Sequence, residues 1–435
     1  NVETLAAYLQ ETQPAQWRKH VRNYPDDPVK QLGKRVNQMI ETYGLLHVLR
    51  NEVTDRGVRF KLVGFKPETT LNTEVIARYK ANRMEVIRQF SYESERHYTI
   101  DMVLSINGIP VVALELKNQA KGQNMDHAKA QFMRRNHKEK CFQFNQRFLA
   151  YFAVDLNEAW MATKLAGDKT YFLPFNQGSN GAGEVGRKGN PPNPDGYPTA
   201  YLWENILNAD SLLDILQRYL HLKVESKKKQ ALIFPRYHQW DLVTKVMKDV
   251  KESGVGKNYL AQHSTGSGKS YSITWLAYRL STLHDALNRS IFDTVIIVTD
   301  RRVLDQQLQK DITSFDHTDG VVVSIDEKKT SKDLRDAIND GRRIIITTLQ
   351  KFPVIYNEVE NTAGKNFAII VDEAHSSQTG QSAQKLKAAL GDKTEALRQF
   401  ADMEEREESE FVDGEDLVVQ EMLAHVKHPS MSFFA

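Results

Sequence analysis

His263-Ser264-Thr265-Gly266-Ser267-Gly268-Lys269-Ser270 decides how the chain is read. It follows an apolar run, Tyr259-Leu260-Ala261, and opens a helix-like segment over 271–283. Strand, glycine turn, Lys-Ser and helix is the context in which backbone N–H groups close around phosphate oxygens. Glycines suit that turn because a Cβ would obstruct it. Thr265, Gly266, Ser267 and Gly268 then line the loop, Lys269 reaches the β- and γ-phosphates, and the Ser270 hydroxyl holds Mg²⁺. The helix N-terminus adds a partial positive charge. The first position of such a loop, usually Gly or Ala, is His263 here. A Gly/Ser surface loop that happens to end in Lys-Ser is the plainer alternative, and the flanking strand and helix argue against it.

Working outward, short apolar runs alternate with helical segments from Phe234 onward, and strands are expected at 258–262, 294–299, 321–325, 343–347 and 367–371. That alternation predicts a parallel, doubly wound α/β sheet with nucleotide at the carboxyl ends of its strands. Ile369-Ile370-Val371 runs into Asp372-Glu373-Ala374-His375. An acid at the end of such a strand holds Mg²⁺ and the next carboxylate positions the attacking water. Asp372 is assigned to the metal and Glu373 to the water.

The 435 residues leave room for two or three domains, and 40% apolar with 26% charged residues is a globular composition. A net charge of only +2 means that any nucleic-acid surface must be local. Cys141 is the only cysteine, which excludes an internal disulfide and cysteine-rich zinc sites. No apolar run reaches membrane-span length and no signal peptide is present, so a cytoplasmic chain without membrane partners is expected. Asn1 in place of Met, and an apolar run ending at Ala435, suggest part of a longer protein.

The earlier half holds a second chemistry. Residues 1–65 give no specific signal, 73–90 reads as a helix carrying Arg78, Arg83 and Arg88, 128–138 reads as a helix and 147–154 as a strand. Residues 97–118 read as a hairpin. Matching apolar faces pairs Ile100 with Leu116, Met102 with Leu114 and Leu104 with Val112. The same register sets Asp101 opposite Glu115, with Lys117 beside them. It needs an odd-length turn around Asn107-Gly108-Ile109, because a two-residue turn would send the two acids to opposite faces. Facing carboxylates repel unless a cation lies between them, and oxygen ligands suit Mg²⁺. Lys117 would orient water and stabilise charge on a phosphate. A salt-bridged, exposed sheet face is the competing reading. Residues 176–199, rich in Gly, Asn and Pro, read as a long loop, and 201–222 returns to helical periodicity. The boundaries expected are therefore 1–175, a loop and helical linker over 176–232, and 233–435.

The phosphate loop with Asp372-Glu373-Ala374-His375 resembles a superfamily 2 helicase-type motor in its first RecA-like lobe. Phe234-Pro235-Arg236-Tyr237-His238-Gln239 resembles the adenine-reading motif of such motors, which implies that Gln239 and Arg236 contact the base. Thr299-Asp300-Arg301-Arg302 and Thr347-Thr348-Leu349-Gln350 resemble the segments that touch the nucleic-acid backbone. The resemblance implies ATP and Mg²⁺ as cofactors and a second lobe that these residues do not include. Asp101 with Glu115-Leu116-Lys117 resembles the PD-(D/E)xK nuclease core. Gln131 matches a glutamine frequent in that group, while Arg135 stands where a tyrosine is usual. Nuclease first and motor second resembles the restriction subunit of type I restriction-modification enzymes. That likeness implies ATP-driven translocation of double-stranded DNA, Mg²⁺-dependent cleavage, and partnership with modification and specificity subunits. A repair nuclease-helicase of superfamily 2 without methylase partners is the alternative.

Overall fold

The computed structural model describes residues 1–93, 98–119, 122–226, 229–264, 266–299, 308–313, 321–325, 329, 331–348, 364–372 and 430–435. The chain divides into two compact units, Asn1–His238 and Gln239–Ala435. Each is described by itself.

The first unit opens with four helices, α1 (Val2–Thr12), α2 (Pro14–Asn23), α3 (Pro28–Tyr43) and α4 (Leu45–Arg50), and a hairpin of β1 (Glu52–Asp55) and β2 (Val58–Lys61). Asp27 caps α3 through the Lys30 N–H, with Pro28 at the first helical position where its missing N–H costs nothing. Helix α5 (Thr73–Lys80) then leads to a six-stranded sheet in sequential order. Its strands are β3 (Met84–Glu93), β4 (Tyr98–Ile106), β5 (Ile109–Leu116), β6 (Ala150–Val154), β7 (Ala159–Ala162) and β8 (Leu173–Pro174). All neighbours are antiparallel except β5 and β6, which are joined across α6 (Met125–Arg134). Met125, Ala128 and Phe132 of α6 pack with Val103, Ala113, Tyr151 and Phe148 in one buried cluster.

Two expectations need correction here. The helix expected over 73–90 ends at Lys80, and residues 84–93 form β3 instead. Val86, Ile87, Phe90 and Tyr92 suit a strand, and pairing from Met84↔Ile106 to Phe90↔Ile100 wins over local helical periodicity. The Asn82 side chain closes the turn by bonding Gly64 N and O.

The hairpin turn also differs. Ile106 pairs with Ile109, so the turn is the two-residue Asn107-Gly108, with φ of 52° and 77°. These angles belong to the turn that matches strand twist, and Gly108 is obligatory because a Cβ would lie 2.1 Å from the Asn1 carbonyl oxygen. The odd residue sits one step further on: Ser105 pairs with Pro110 but Leu104 with Val112, a bulge that leaves Val111 unpaired. The expected register is thereby restored, with Met102↔Leu114 and Val103↔Ala113. The acid-bearing face is not simply polar, since Val103 and Ala113 are fully buried on it.

Residues 176–199 contain no strand or helix and are held by hydrogen bonds such as Gly178 N→Gly189 O at 2.8 Å and Asn190 Nδ2→Asn157 O at 2.8 Å. Helical turns over Leu202–Ile206, Ala209–Asp214 and Ile215–Tyr219 follow, then a hairpin of His221–Ser226 and Lys229–Ile233.

The second unit is built on a five-stranded, wholly parallel sheet, with the helix Lys269–Ser281 ahead of it and the helix Ser331–Asn339 between two of its strands. The strands, in spatial order, are Val322–Ser324, Ile344–Thr348, Thr294–Thr299, Phe367–Val371 and Met431–Phe434. Ile296, Val298, Ile345, Ile369 and Phe433 from these strands share one buried cluster with Leu334 and Ile338 of the helix Ser331–Asn339. Near-continuous Val/Ile runs are what burial of both faces demands. The strand expected at 258–262 reduces to one bridge, Tyr259↔Phe434. Tyr259 N donates to Phe433 O at 2.8 Å and its ring stacks on Phe434 at 4.8 Å, so the segment lies along the sheet edge without a full ladder. Among the described residues no helix is long and apolar enough to cross a membrane.

Candidate functional site

In the first unit, β4 and β5 bring Asp101, Glu115 and Lys117 together. The ladder between β4 and β5 ends at Met102↔Leu114, and there the Asp101 carboxylate takes over, accepting from Leu116 N at 2.9 Å. Lys117 Nζ stands 3.5 Å from Asp101 Oδ2. Gln89 Nε2 donates to Asp101 Oδ1 at 3.4 Å, and Gln89 Oε1 accepts from Thr99 Oγ1 at 2.9 Å. Gln89 lies across from Asp101 with a φ of 48°, the left-handed region, at a break in the β3 ladder. A strained non-glycine residue beside a reactive group is a frequent feature of functional sites.

Glu115 is fully buried, and one of its oxygens, Oε2, has no hydrogen-bond partner. The other is bound by Arg135, just beyond α6. Arg135 also donates to Thr99 O, and to Tyr92 Oη at 2.7 Å. Burial pushes the Glu115 carboxyl up to about 7 against the pull of Arg135, and the adjacent Asp101 charge adds to the rise. A buried carboxylate oxygen without a donor, beside a second carboxylate, is the donor set that a hard divalent cation satisfies. The oxygen ligands of Asp101 and Glu115 therefore fit Mg²⁺. Gln131 lies half-buried on α6 and makes no hydrogen bond to either acid.

The raised Glu115 carboxyl sets a pH dependence. Between the ordinary value of 4.5 and about 7, the folded chain holds a proton that the unfolded chain releases. The contribution of this group to stability is full below 4.5 and is lost as pH rises through about 7. In metal-free buffer, wild type is expected to lose more stability than Glu115→Gln between about pH 5 and pH 8. Thermal melting of both across that range checks it, and parallel curves would contradict it.

In the second unit, the phosphate loop leads into a helix, Lys269–Ser281, capped by Gly268 at a φ of 88°. Ser267 N donates to Ser264 O at 3.1 Å, and the His263 ring nitrogen Nδ1 is hydrogen-bonded to Ser267 Oγ at 3.1 Å. The unusual first residue thus braces its own loop. Lys269 Nζ lies 2.9 Å from Asp372 Oδ1, at the end of the Phe367–Val371 strand. Asp372 N donates to Val298 O at 3.0 Å, fixing the acid against the neighbouring strand. Ser270 sits in the first turn of the helix. Gln239 Nε2 donates to Gly268 O at 2.9 Å, so this side chain touches the loop itself. Arg236 is half-buried in the first unit, ahead of the helix Tyr237–Ser253. Thr265, Glu373, and the polar residues after Thr299 and Thr348 lie outside the described residues.

Glycine is the favoured residue at 268, chiefly for its φ of 88°. A Cβ there would lie 2.6 Å from Gln239 Nε2, at a φ that side chains avoid. Gly268→Ala is expected to cost about 1–2 kcal/mol and to weaken nucleotide binding. Melting and titration with a fluorescent ATP analogue measure both, and wild-type values for each would contradict the geometry.

Sequence reasoning missed Arg135 as a partner of Glu115, and Gln89 as a partner of Asp101. Both contacts join separate elements, so no local pattern reveals them.

The fold and sites define a class: a sheet-borne pair of acids with a lysine, followed in one chain by a unit whose glycine loop opens a helix beside a parallel sheet. Comparison with known families narrows it. Residues 4–177 match the type I restriction enzyme R protein N terminus, and residues 238–396 match the SWI2/SNF2 ATPase. A putative type I restriction enzyme MjaVIIIP endonuclease subunit of Methanocaldococcus jannaschii is 22% identical over 84% of this chain and 36% of its own length. The type I restriction enzyme HindI endonuclease subunit of Haemophilus influenzae is 25% identical over 69% of this chain and 28% of its own length. The chain thus spans about a third of these relatives. In domain content and order it resembles the endonuclease subunit of type I restriction enzymes.

Proposed function

We propose that this chain is the nuclease and first motor lobe of a type I restriction subunit, which moves double-stranded DNA with ATP and cuts it with Mg²⁺. The observation that carries this reading is the buried Glu115, with Oε2 facing no donor beside Asp101, in a chain that also ties Lys269 to Asp372. Asp101 and Glu115 would hold the metal, which would polarise the scissile phosphate and lower the pKa of water. Lys117 steadies negative charge on the phosphate from its place beside Asp101. Gln131 is retained as a residue of this site on resemblance alone.

In the motor, the loop N–H groups of Gly266, Ser267 and Gly268, together with Thr265 and Lys269, take the phosphates. Ser270 and Asp372 are the side chains for its metal, Glu373 orients water, and Gln239 with Arg236 reads adenine. The domain limits follow: a nuclease domain over 1–175, a linker over 176–232 and the motor lobe from 233. Modification and specificity subunits would supply sequence recognition in the cytoplasm.

The test is cleavage of unmethylated duplex DNA by the full-length subunit assembled with those partners, with Mg²⁺ and ATP. Wild type is expected to cut and Asp101→Ala to leave the DNA intact. Equal cutting by both would remove the acid pair from the chemistry.

A further inference from the structure

Four charged side chains meet at the first-unit site, and they cancel. In the ionised form that would bind a metal, Asp101 and Glu115 bring two negative charges. Lys117 lies 3.5 Å from Asp101, and Arg135 is bound to Glu115. The cations are not surface groups that salt would screen: the Lys117 side chain is 10% exposed and that of Arg135 is 8% exposed. Nor is Arg135 free to swing away, because Thr99 O and Tyr92 Oη hold two of its nitrogens and its guanidinium lies 5.2 Å from the Tyr92 ring. Among the described residues, no group of three or more Asp, Glu, His or Cys side chains is placed to hold a metal ion. A divalent cation arriving alone meets an open carboxylate oxygen in a site without net negative charge.

Resting on the reading of Asp101 and Glu115 as metal ligands, we infer that Arg135 makes metal binding here depend on DNA. The DNA phosphate supplies the missing anion. Its negative charge tips the local balance towards the cation, and its oxygen adds a ligand that the protein does not provide. Arg135 is then a positioning residue. It fixes Glu115 through Oε1 so that Oε2 faces the metal, and it keeps the ion from binding tightly before substrate is present. Metal and DNA bind with positive coupling, and by reciprocity the metal tightens DNA to the same degree.

The experiment is calorimetric titration of the full chain, without nucleotide, with Ca²⁺ as an oxygen-seeking probe, in the presence and absence of a short duplex. Wild type, Arg135→Gln, Arg135→Lys and Glu115→Gln are compared, with circular dichroism to confirm that each is folded. The signal removed by Glu115→Gln defines this site. If Glu115→Gln removes none, the metal-ligand reading itself fails, whatever Arg135 does. Wild type is expected to bind Ca²⁺ about tenfold more tightly with duplex than without. Arg135→Gln should bind DNA-free Ca²⁺ about tenfold more tightly than wild type and gain little from duplex, while Arg135→Lys keeps the wild-type pattern. The inference is overturned if wild type shows no difference between the two conditions, a result that needs no variant. It is equally overturned if folded Arg135→Gln binds DNA-free Ca²⁺ no better than wild type.

Discussion

Glu115→Gln is expected to abolish DNA cleavage, by more than about a hundredfold, while DNA-stimulated ATP hydrolysis continues at the wild-type rate. The substitution keeps the volume of the side chain and an oxygen for Arg135, but removes the charge that a metal requires. Glu115→Ala is a harsher change. It strands the buried Arg135 guanidinium without its partner, at a cost of about 3–5 kcal/mol, so lost cutting would be confounded with lost structure. The Gln variant separates the two, because its fold and its ATPase serve as internal controls. Loss of both activities together would mean that Glu115 holds up the structure rather than the metal.

Lys269→Ala should lower ATP hydrolysis by roughly 10²–10³-fold. The ammonium, held 2.9 Å from Asp372 Oδ1, is aimed at the carboxyl end of the sheet where the phosphates of a nucleotide would lie. Without it, the loop amides and the helix N-terminus still attract phosphate, so binding weakens less than turnover falls. The Asp372 carboxylate also loses its counter-charge in a place where it is only 6% exposed. Its loss costs the nucleotide-free protein some stability, and Lys269→Arg should recover that stability better than it recovers turnover. Steady-state ATPase assays and melting of the three proteins measure this. Wild-type turnover in Lys269→Ala would remove the loop from the catalytic machinery.

How much of this the sequence discloses depends on how local each signal is. The motor strands were legible because a buried parallel strand is a short Val/Ile run, and Thr294–Thr299 and Phe367–Val371 stand as expected. The stretch at 258–262, Asn258-Tyr259-Leu260-Ala261-Gln262, lacks such a Val/Ile run and makes only the one bridge Tyr259↔Phe434. Residues 73–90 misled for another reason. Their helical spacing is real as far as Lys80, and only pairing with β4 turns the remainder into a strand. In the hairpin the register followed from matched apolar faces, yet the extra residue proved to be Val111 in a bulge rather than part of the turn. Asn-Gly kept its preferred tight turn, and the strand absorbed the difference. Arg135 was the least legible residue of all: only the fold brings it across to Glu115, twenty residues earlier in the chain.

The central claim is that one polypeptide couples a nucleotide-driven motor to a metal-dependent nuclease. Plasmid cleavage by the full-length subunit, reconstituted with its modification and specificity partners, Mg²⁺ and ATP, tests it most directly when wild type is set beside Lys269→Ala. No cutting by Lys269→Ala, with its nuclease residues intact, is the expected result. Cutting at the wild-type rate would mean that cleavage does not need the motor, and a simpler nuclease would take the place of the coupled enzyme.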